Sequence, residues 1–259
     1  MRKFLLTSVG VTALAVSANA TDFTLSGSSL LNIDDQGDTA VANTINVGVS
    51  KTFDNGMVLS LSQNMNAASG EFTITTDAIS VTFGDYDQNE KNPGLGGNAA
   101  SADISGDGVS NAADNVGAVS LGATVAGMGI GAAMNAAGDT MFGGSFATDM
   151  GGMAVTIGGD VHSDNTSSDD QTALGVSATM GDLVVVANSV QNEAAAGVDI
   201  TTYSATYTAG GLVIGFQGSD ANTSAYSATY TIVPGMQFEL GSEDNGTTTT
   251  SSAQLQMTF

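Results

Sequence analysis

Apolar and polar residues alternate with a period of two along most of the chain. Phe23, Leu25, Leu31 and Ile33 share one parity, while Thr24, Ser26, Ser28 and Asn32 hold the other. The pattern repeats as Ile45, Val47, Val49 and Phe53 against Thr44, Asn46, Gly48, Ser50 and Thr52. Asp54-Asn55-Gly56 then gives a tight-turn signal, and alternation resumes as Met57, Leu59, Leu61 and Met65 against Ser60, Ser62 and Asn64. In a strand such alternation sends the two sets to opposite faces. One face is therefore apolar and the other small and hydroxylated, unlike the Lys- and Glu-rich face that a water-exposed sheet usually presents.

This texture predicts sixteen strands, at about 22–33, 41–53, 57–66, 70–75, 78–84, 116–125, 128–135 and 140–147, then 153–162, 172–180, 183–191, 200–208, 211–219, 225–232, 236–244 and 249–259. Connections after even strands are tight, as at Thr76-Asp77, Ala126-Gly127, Gly181-Asp182 and Ala209-Gly210. Those after odd strands tend to be longer and carry the acids, as at 34–40, 85–115, 163–171, 192–199 and 220–224. No later segment approaches eighteen consecutive apolar residues, so any crossing of a membrane would be made by strands. An even number of antiparallel strands, with short turns at one rim and longer loops at the other, predicts an all-β fold: a transmembrane antiparallel β-barrel of about sixteen strands.

Charge and composition narrow the partners. Four Lys+Arg face 26 Asp+Glu, a net charge of -22. Nothing here neutralises phosphates, which excludes nucleic acid as a partner and argues against an anionic membrane surface. The absence of Cys excludes disulfides, thiolate metal sites and cysteine nucleophiles. At the N-terminus, Arg2 and Lys3, the mostly apolar run from Phe4 to Val16, and Ala18-Asn19-Ala20 form a secretory signal peptide over 1–20. Its removal leaves 259 − 20 = 239 residues, with Lys51 and Lys91 the remaining bases and a charge of 2 − 26 = −24. Sixteen strands of roughly ten residues take about 160 of these, leaving about 79 for fifteen connections. The barrel then occupies 21–259.

The last strand alternates Ala253, Leu255, Met257 and Phe259 with Gln254, Gln256 and Thr258. This ending resembles the C-terminal strand of Gram-negative outer-membrane proteins, whose terminal Phe is read by the barrel-assembly machinery. Phe53, Phe146, Tyr207, Tyr230 and Phe259 fall near the short-turn rim, and Phe72, Phe83, Phe142 and Tyr226 near the other, as two thin aromatic girdles require.

Glu71 to Asp87, EFTITTDAISVTFGDYD, resembles the fourth and fifth strands of the general diffusion porins, where a Phe-Gly pair precedes a long third loop. Pro93-Gly94-Leu95-Gly96-Gly97 resembles the tip of that family's constriction loop, departing from it at Gly94 and Leu95, so no carboxylate is carried over to position 94. The resemblance implies a sixteen-stranded, homotrimeric outer-membrane porin whose third loop, 85–115, folds into the lumen and narrows a water-filled channel. Trimerisation would bury part of the outward set on the first strands, for example Val47, Leu59, Leu61 and Ile79.

Within the long loop, Asp103, Ser105, Asp107, the Val109 carbonyl, Asn111 and Asp114 stand at positions one, three, five, seven, nine and twelve of a calcium-loop spacing, with Gly108 at the sixth. Asp replaces the bidentate Glu at the twelfth, and no flanking helices are evident. The spacing fits a Ca2+ site in the constriction loop; the alternative is a solvated Asp/Gly/Ser loop, and the sequence leaves both open. No cofactor is required by the transport reading.

Selectivity follows from the charges. Asp85, Asp87, Glu90, Asp103, Asp107 and Asp114 would make the eyelet negative unless metal is bound, giving preference to cations by the logic of acidic rings in channels. Lys91 sits among these acids, placed to hold the loop through an ion pair. Lys51, near the short-turn rim, is expected to snorkel to the membrane interface. His162 is the only His, at the outer end of its strand, and reads as incidental. No nucleophile with a base, phosphate loop or metal-hydrolase motif is present, so the chain reads as a passive pore for small hydrophilic solutes and cations, not an enzyme. The competing readings are a structural or adhesive outer-membrane barrel with a plugged lumen, and a soluble calcium-filled secreted protein.

Overall fold

The computed structural model describes residues 21–34, 39–65, 70–84, 117–163, 165, 170–192 and 199–259. Sixteen strands run in chain order: β1 (Thr21–Asp34), β2 (Thr39–Thr52), β3 (Val58–Asn64), β4 (Gly70–Thr75), β5 (Ile79–Gly84), β6 (Gly117–Val125), β7 (Met128–Asn135) and β8 (Thr140–Asp149). They continue as β9 (Ala154–Ser163), β10 (Gln171–Met180), β11 (Leu183–Asn192), β12 (Ile200–Ala209), β13 (Leu212–Ser219), β14 (Ser224–Val233), β15 (Met236–Asp244) and β16 (Thr249–Thr258). Each pairs antiparallel with its chain neighbours, and β1 pairs with β16, so the sheet closes into a barrel. Closure leaves no strand edge with unpaired backbone groups.

The expected strand count and order hold, with ends shifted by one or two residues. The largest shifts are instructive. β3 stops at Asn64 and β2 begins at Thr39, where apolar alternation gives no marker for the boundary. β8 runs on to Asp149 because Thr148 still pairs with Val155 and Asp149 with Ala154 before the turn reverses the chain.

Turn chemistry fixes the hairpins. At Asp54-Asn55-Gly56, Gly56 takes φ 80° and its N–H donates to the Phe53 carbonyl at 2.9 Å, while the Asn55 side chain accepts from Met57 N at 3.1 Å. A left-handed third residue is what a three-residue hairpin loop demands. Pro234-Gly235 combines a proline with φ 83° at Gly235, the pairing of a type II turn. Such a turn mismatches the strand twist, and the register of β14 and β15 shifts between Thr231 and Val233 beside it.

Burial is inverted relative to a water-soluble domain. Large apolar side chains lie on the outer wall and stay exposed, among them Val41 at 66%, Leu174 at 64%, Phe142 at 63% and Ile157 at 57%. Polar side chains of the opposite parity are the buried ones: Ser120, Asn188, Thr202, Ser204, Gln217 and Ser227. Period-two alternation assigns each parity to a face, and the structure shows the apolar one pointing outward.

Aromatic rings cluster on that outer wall. Phe72 and Phe83, opposite each other on β4 and β5, have centroids 6.2 Å apart. Tyr203, Phe216 and Tyr226 form a run across β12 to β14, with centroids at 5.8 and 5.1 Å. These rings lie toward the longer-loop end, while Tyr207, Tyr230, Phe238 and Phe259 are exposed toward the short-turn end. Lys51 also points outward, its Nζ 5.3 Å from the Phe53 ring centroid, and is not on the inner wall. Val47, Leu59, Leu61 and Ile79 share the outer wall, paired in register through β2 to β5.

Candidate functional site: the inner wall

Register determines which residues face the lumen. Leu25 pairs with Val47, Val49 with Leu61, Leu61 with Phe72, and Phe72 with Phe83, so the outward parity passes unbroken from strand to strand. The inward set follows as its complement: Thr24, Ser26 and Asn32 on β1, Thr44, Asn46 and Ser50 on β2, Ser60, Ser62 and Asn64 on β3. Thr73 and Thr82 follow on β4 and β5, their hydroxyl oxygens 3.1 Å apart. Leu30, Ala40, Ala42 and Val58 share this parity, and the rest of this half of the wall carries mostly hydroxyls and amides.

Acids punctuate it. Glu71 on β4 pairs with Ser62 and Gly84, both inward. Asp160 on β9 lies between Gly143 of β8 and Ala173 of β10. Its carboxylate covers Gly143, where a Cβ would collide with Oδ1. Glu239 on β15 stands opposite Thr229 and Gln254, with Glu243 on the same parity further toward the longer loops. Asp22 and Asp149 share the inward parity near the short-turn rim, and Asp34 near the other. Among the described residues no Lys or Arg has the inward parity, and His162 is the one inward base.

The wall is uneven in exposure. On β8 to β13 the inward side chains toward the longer-loop end are buried, among them Met141 at 2%, Asp160 at 2%, His162 at 1%, Gln171, Ala173, Asn188 and Gln217; on β15 the buried acid is Glu239, nearer the short turn, while Glu243 is half-buried. On β1 to β3 the inward residues are half-buried, as at Asn32, Asn46 and Ser60, or exposed, as at Thr24, Ser26 and Ser62.

At the longer-loop rim a hydrogen-bonded latch joins two connections. Asp139 Oδ2 accepts from Asn135 Nδ2 at 2.6 Å, and its Oδ1 accepts from Asn165 N at 2.8 Å. Asn165 Nδ2 donates in turn to the Ala137 carbonyl at 3.0 Å. With both carboxylate oxygens engaged, Asp139 is buried and acts as a structural tie.

The sequence-predicted constriction residues Asp85, Asp87, Glu90, Lys91, Asp103, Asp107 and Asp114 lie outside the described residues, as do the calcium-loop positions Ser105, Val109 and Asn111 and the signal segment 1–20. Among the described residues no group of three or more His, Asp or Glu side chains is placed to hold a metal ion. Sequence reasoning alone does not single out the inner-wall acids Glu71, Asp160 and Glu239, and it reads His162 as incidental. Parity marks all of them: Asp160 and His162 alternate with Ile157, Gly159 and Val161, the outward set of β9.

No family model matches the chain, and no curated protein matches it in sequence. Solved structures match it in fold. A double mutant of the Rh. blastica porin superposes with a TM-score of 0.62 at 14% identity, covering 92% of this chain and 100% of that one. A triple mutant of the Rhodopseudomonas blastica porin gives 0.63 at 14% identity with the same coverage. A third structure, described as "Asymmetric conductivity of engineered proteins", gives 0.63 at 14% identity, again over 92% and 100%. The closed sixteen-stranded barrel with its polar, acid-bearing inner wall thus has the fold of the sixteen-stranded porins.

Proposed function

We propose that the protein is an outer-membrane porin, a passive channel for ions and small hydrophilic solutes that favours cations. The observation that carries this reading is the inverted burial: a closed barrel with exposed Val41, Phe142, Ile157 and Leu174 outside, and inside a wall on which Ser, Thr, Asn, Gln and acids outnumber apolar residues such as Met141 and Val190. Exposed apolar side chains of this size are stable in hydrocarbon, and hydrocarbon in turn requires every backbone group to pair within the sheet. Among the described residues the inward parity carries the acids Glu71, Asp160, Glu239 and Glu243 and no Lys or Arg. A low-dielectric wall carrying one sign of charge concentrates counter-ions, here cations.

The acids of the 85–115 loop add to the same field if that loop enters the lumen. A Ca2+ held by Asp103, Ser105, Asp107, the Val109 carbonyl, Asn111 and Asp114 would offset part of it. Outward Val47, Leu59, Leu61 and Ile79 fit a face shared by three copies in a homotrimer. Residues 1–20 would direct export and be removed, and the Phe259 end would be read by the barrel-assembly machinery. This reading assigns transport and no catalysis.

The test is planar-bilayer recording of purified protein in a KCl gradient. Stepwise conductance with a reversal potential biased toward K+ is expected, and added chelator is expected to strengthen the bias by freeing loop carboxylates. Absence of any conductance would overturn the channel; an anion-biased potential would overturn the selectivity.

A further inference from the structure

Glycines on the outer wall of a barrel leave gaps, and three of them are filled by a neighbouring side chain. The Phe259 ring lies over Gly27, where a Cβ would sit 2.8 Å from Cζ; Tyr203 covers Gly218 at 2.9 Å; Leu174 covers Gly159 at 2.7 Å. Filling a glycine gap with a cross-strand aromatic or branched side chain is a recurrent device for keeping a sheet surface continuous. Gly144 departs from it. The nearest atom to a Cβ built there is the Gly129 carbonyl oxygen at 3.8 Å.

Gly144 pairs directly with Gly159 across β8 and β9, and the two backbones floor a depression of about 500 Å³. Met128 and Ile130 of β7, Phe142 and Phe146 of β8, Ile157 of β9 and Leu174 of β10 form its walls. Gly144 is the fifth residue of the ten in β8 and Gly159 the sixth of the ten in β9, which puts the depression at mid-height of the barrel wall.

We infer that this groove is a seat for one acyl chain of a membrane lipid. The inference rests on the membrane reading proposed above, which puts mid-strand outward residues in the hydrocarbon layer. There an apolar recess is filled by the surrounding chains or left as a void whose walls forfeit their dispersion contacts. Its size lies within the range of small-molecule pockets, and apart from Ser145 its lining side chains are hydrocarbon and thioether, with no charged or amide group. No group is present to bind a headgroup, so recognition is of the chain alone. Met128 supplies a flexible, adaptable wall.

The protein contains no Trp, so a single introduced indole reports on one place. Phe146→Trp puts it in the groove wall. Phe238→Trp puts it on the outer wall of β15, a similar number of residues from the short-turn end. Both variants are reconstituted in phosphatidylcholine vesicles carrying a rising fraction of lipid brominated at mid-chain. The groove indole is expected to be quenched with a slope at least about twofold steeper, reflecting fixed contact with a chain instead of average exposure. Adding Gly144→Leu to Phe146→Trp, which fills the recess, is expected to bring the slopes together. Should the larger side chain impair assembly, Gly144→Ala, whose single methyl only narrows the floor, is expected to lower the groove slope in the same direction by a smaller amount. Equal slopes at both positions, or a steep groove slope unchanged by filling, would overturn the groove while leaving the barrel in the membrane. Quenching at neither position would overturn the membrane reading itself.

Discussion

Ala126 sits where the hairpin between β6 and β7 needs a left-handed residue: its φ is 52°, and Gly127 follows at 80°. Two successive positive φ values define a type I′ turn, which favours Asn-Gly and penalises a Cβ at the first position. Ala126→Asn is expected to stabilise the barrel by about 0.5 kcal/mol, and Gly127→Ala to destabilise it by about 1 kcal/mol; urea unfolding midpoints of protein in detergent or lipid measure both. Equal midpoints for the two variants would refute the turn assignment. Asp54-Asn55-Gly56 is legible as a turn from its residues because Asn and Gly carry the signal themselves. Ala126-Gly127 is legible only from its place between two alternating runs, since alanine has no turn chemistry. The inner-wall acids are legible in the same indirect way: Asp160 looks like a surface charge until its neighbours Val161 and Ile157 are known to face outward.

Among elements, the meeting of β1 and β16 decides whether the sheet closes. Seven register pairs, from Ser28↔Thr258 to Asp34↔Ser252, join them. Beyond that ladder, Gly27 and Phe259 exchange backbone hydrogen bonds, N to O, at 2.9 and 3.0 Å. The Phe259 ring then lies over Gly27, 41% exposed on the outer wall. Replacing Gly27 with leucine places a side chain where the ring now sits, since a Cβ would already approach the Thr44 carbonyl at 2.6 Å and the ring at 2.8 Å. Gly27→Leu and Phe259→Ala are each expected to destabilise closure by about 1–3 kcal/mol, through overpacking and lost aromatic cover respectively. Heat-modifiable gel mobility after refolding into vesicles reads the closed fraction. The double variant is expected to lose less than the sum, because with the ring gone the introduced leucine side chain keeps only its clash with the Thr44 carbonyl; strict additivity would show that the two positions do not interact. Sequence alternation finds both strands, yet it cannot show that Gly27 opposes Phe259, since that pairing joins opposite ends of the chain and only barrel closure sets its register.

For the whole molecule, the charge of -22 acquires a direction. On the described strands the outer wall carries Lys51 and Asp244 near its rims, while Glu71, Asp160, Glu239 and Glu243 face inward. The alternation of the sequence carries nearly all of this architecture because every strand in a barrel obeys the same two-face rule. Residues 85–115 are different: their acids follow no period, so sequence gives their number and leaves their placement unread. The wall acids therefore offer the cleaner test of selectivity. A unit charge about 10 Å from a permeating ion in water contributes about 0.4 kcal/mol before screening. At 0.01 M salt the Debye length is about 30 Å and most of this survives; at 1 M it is about 3 Å and almost none does. Glu71→Gln combined with Glu239→Gln keeps side-chain volume and removes two charges, each of which favours K+ and disfavours Cl− by the same amount, so the K+/Cl− permeability ratio is expected to fall about fivefold to tenfold at 0.01 M. At about 1 M the variant and parent ratios should coincide. A ratio indifferent to both substitutions at low salt would rule out Glu71 and Glu239 as its source, and deletion of 98–111 in the same double variant, which removes Asp103 and Asp107, would then be expected to lower the remaining cation bias.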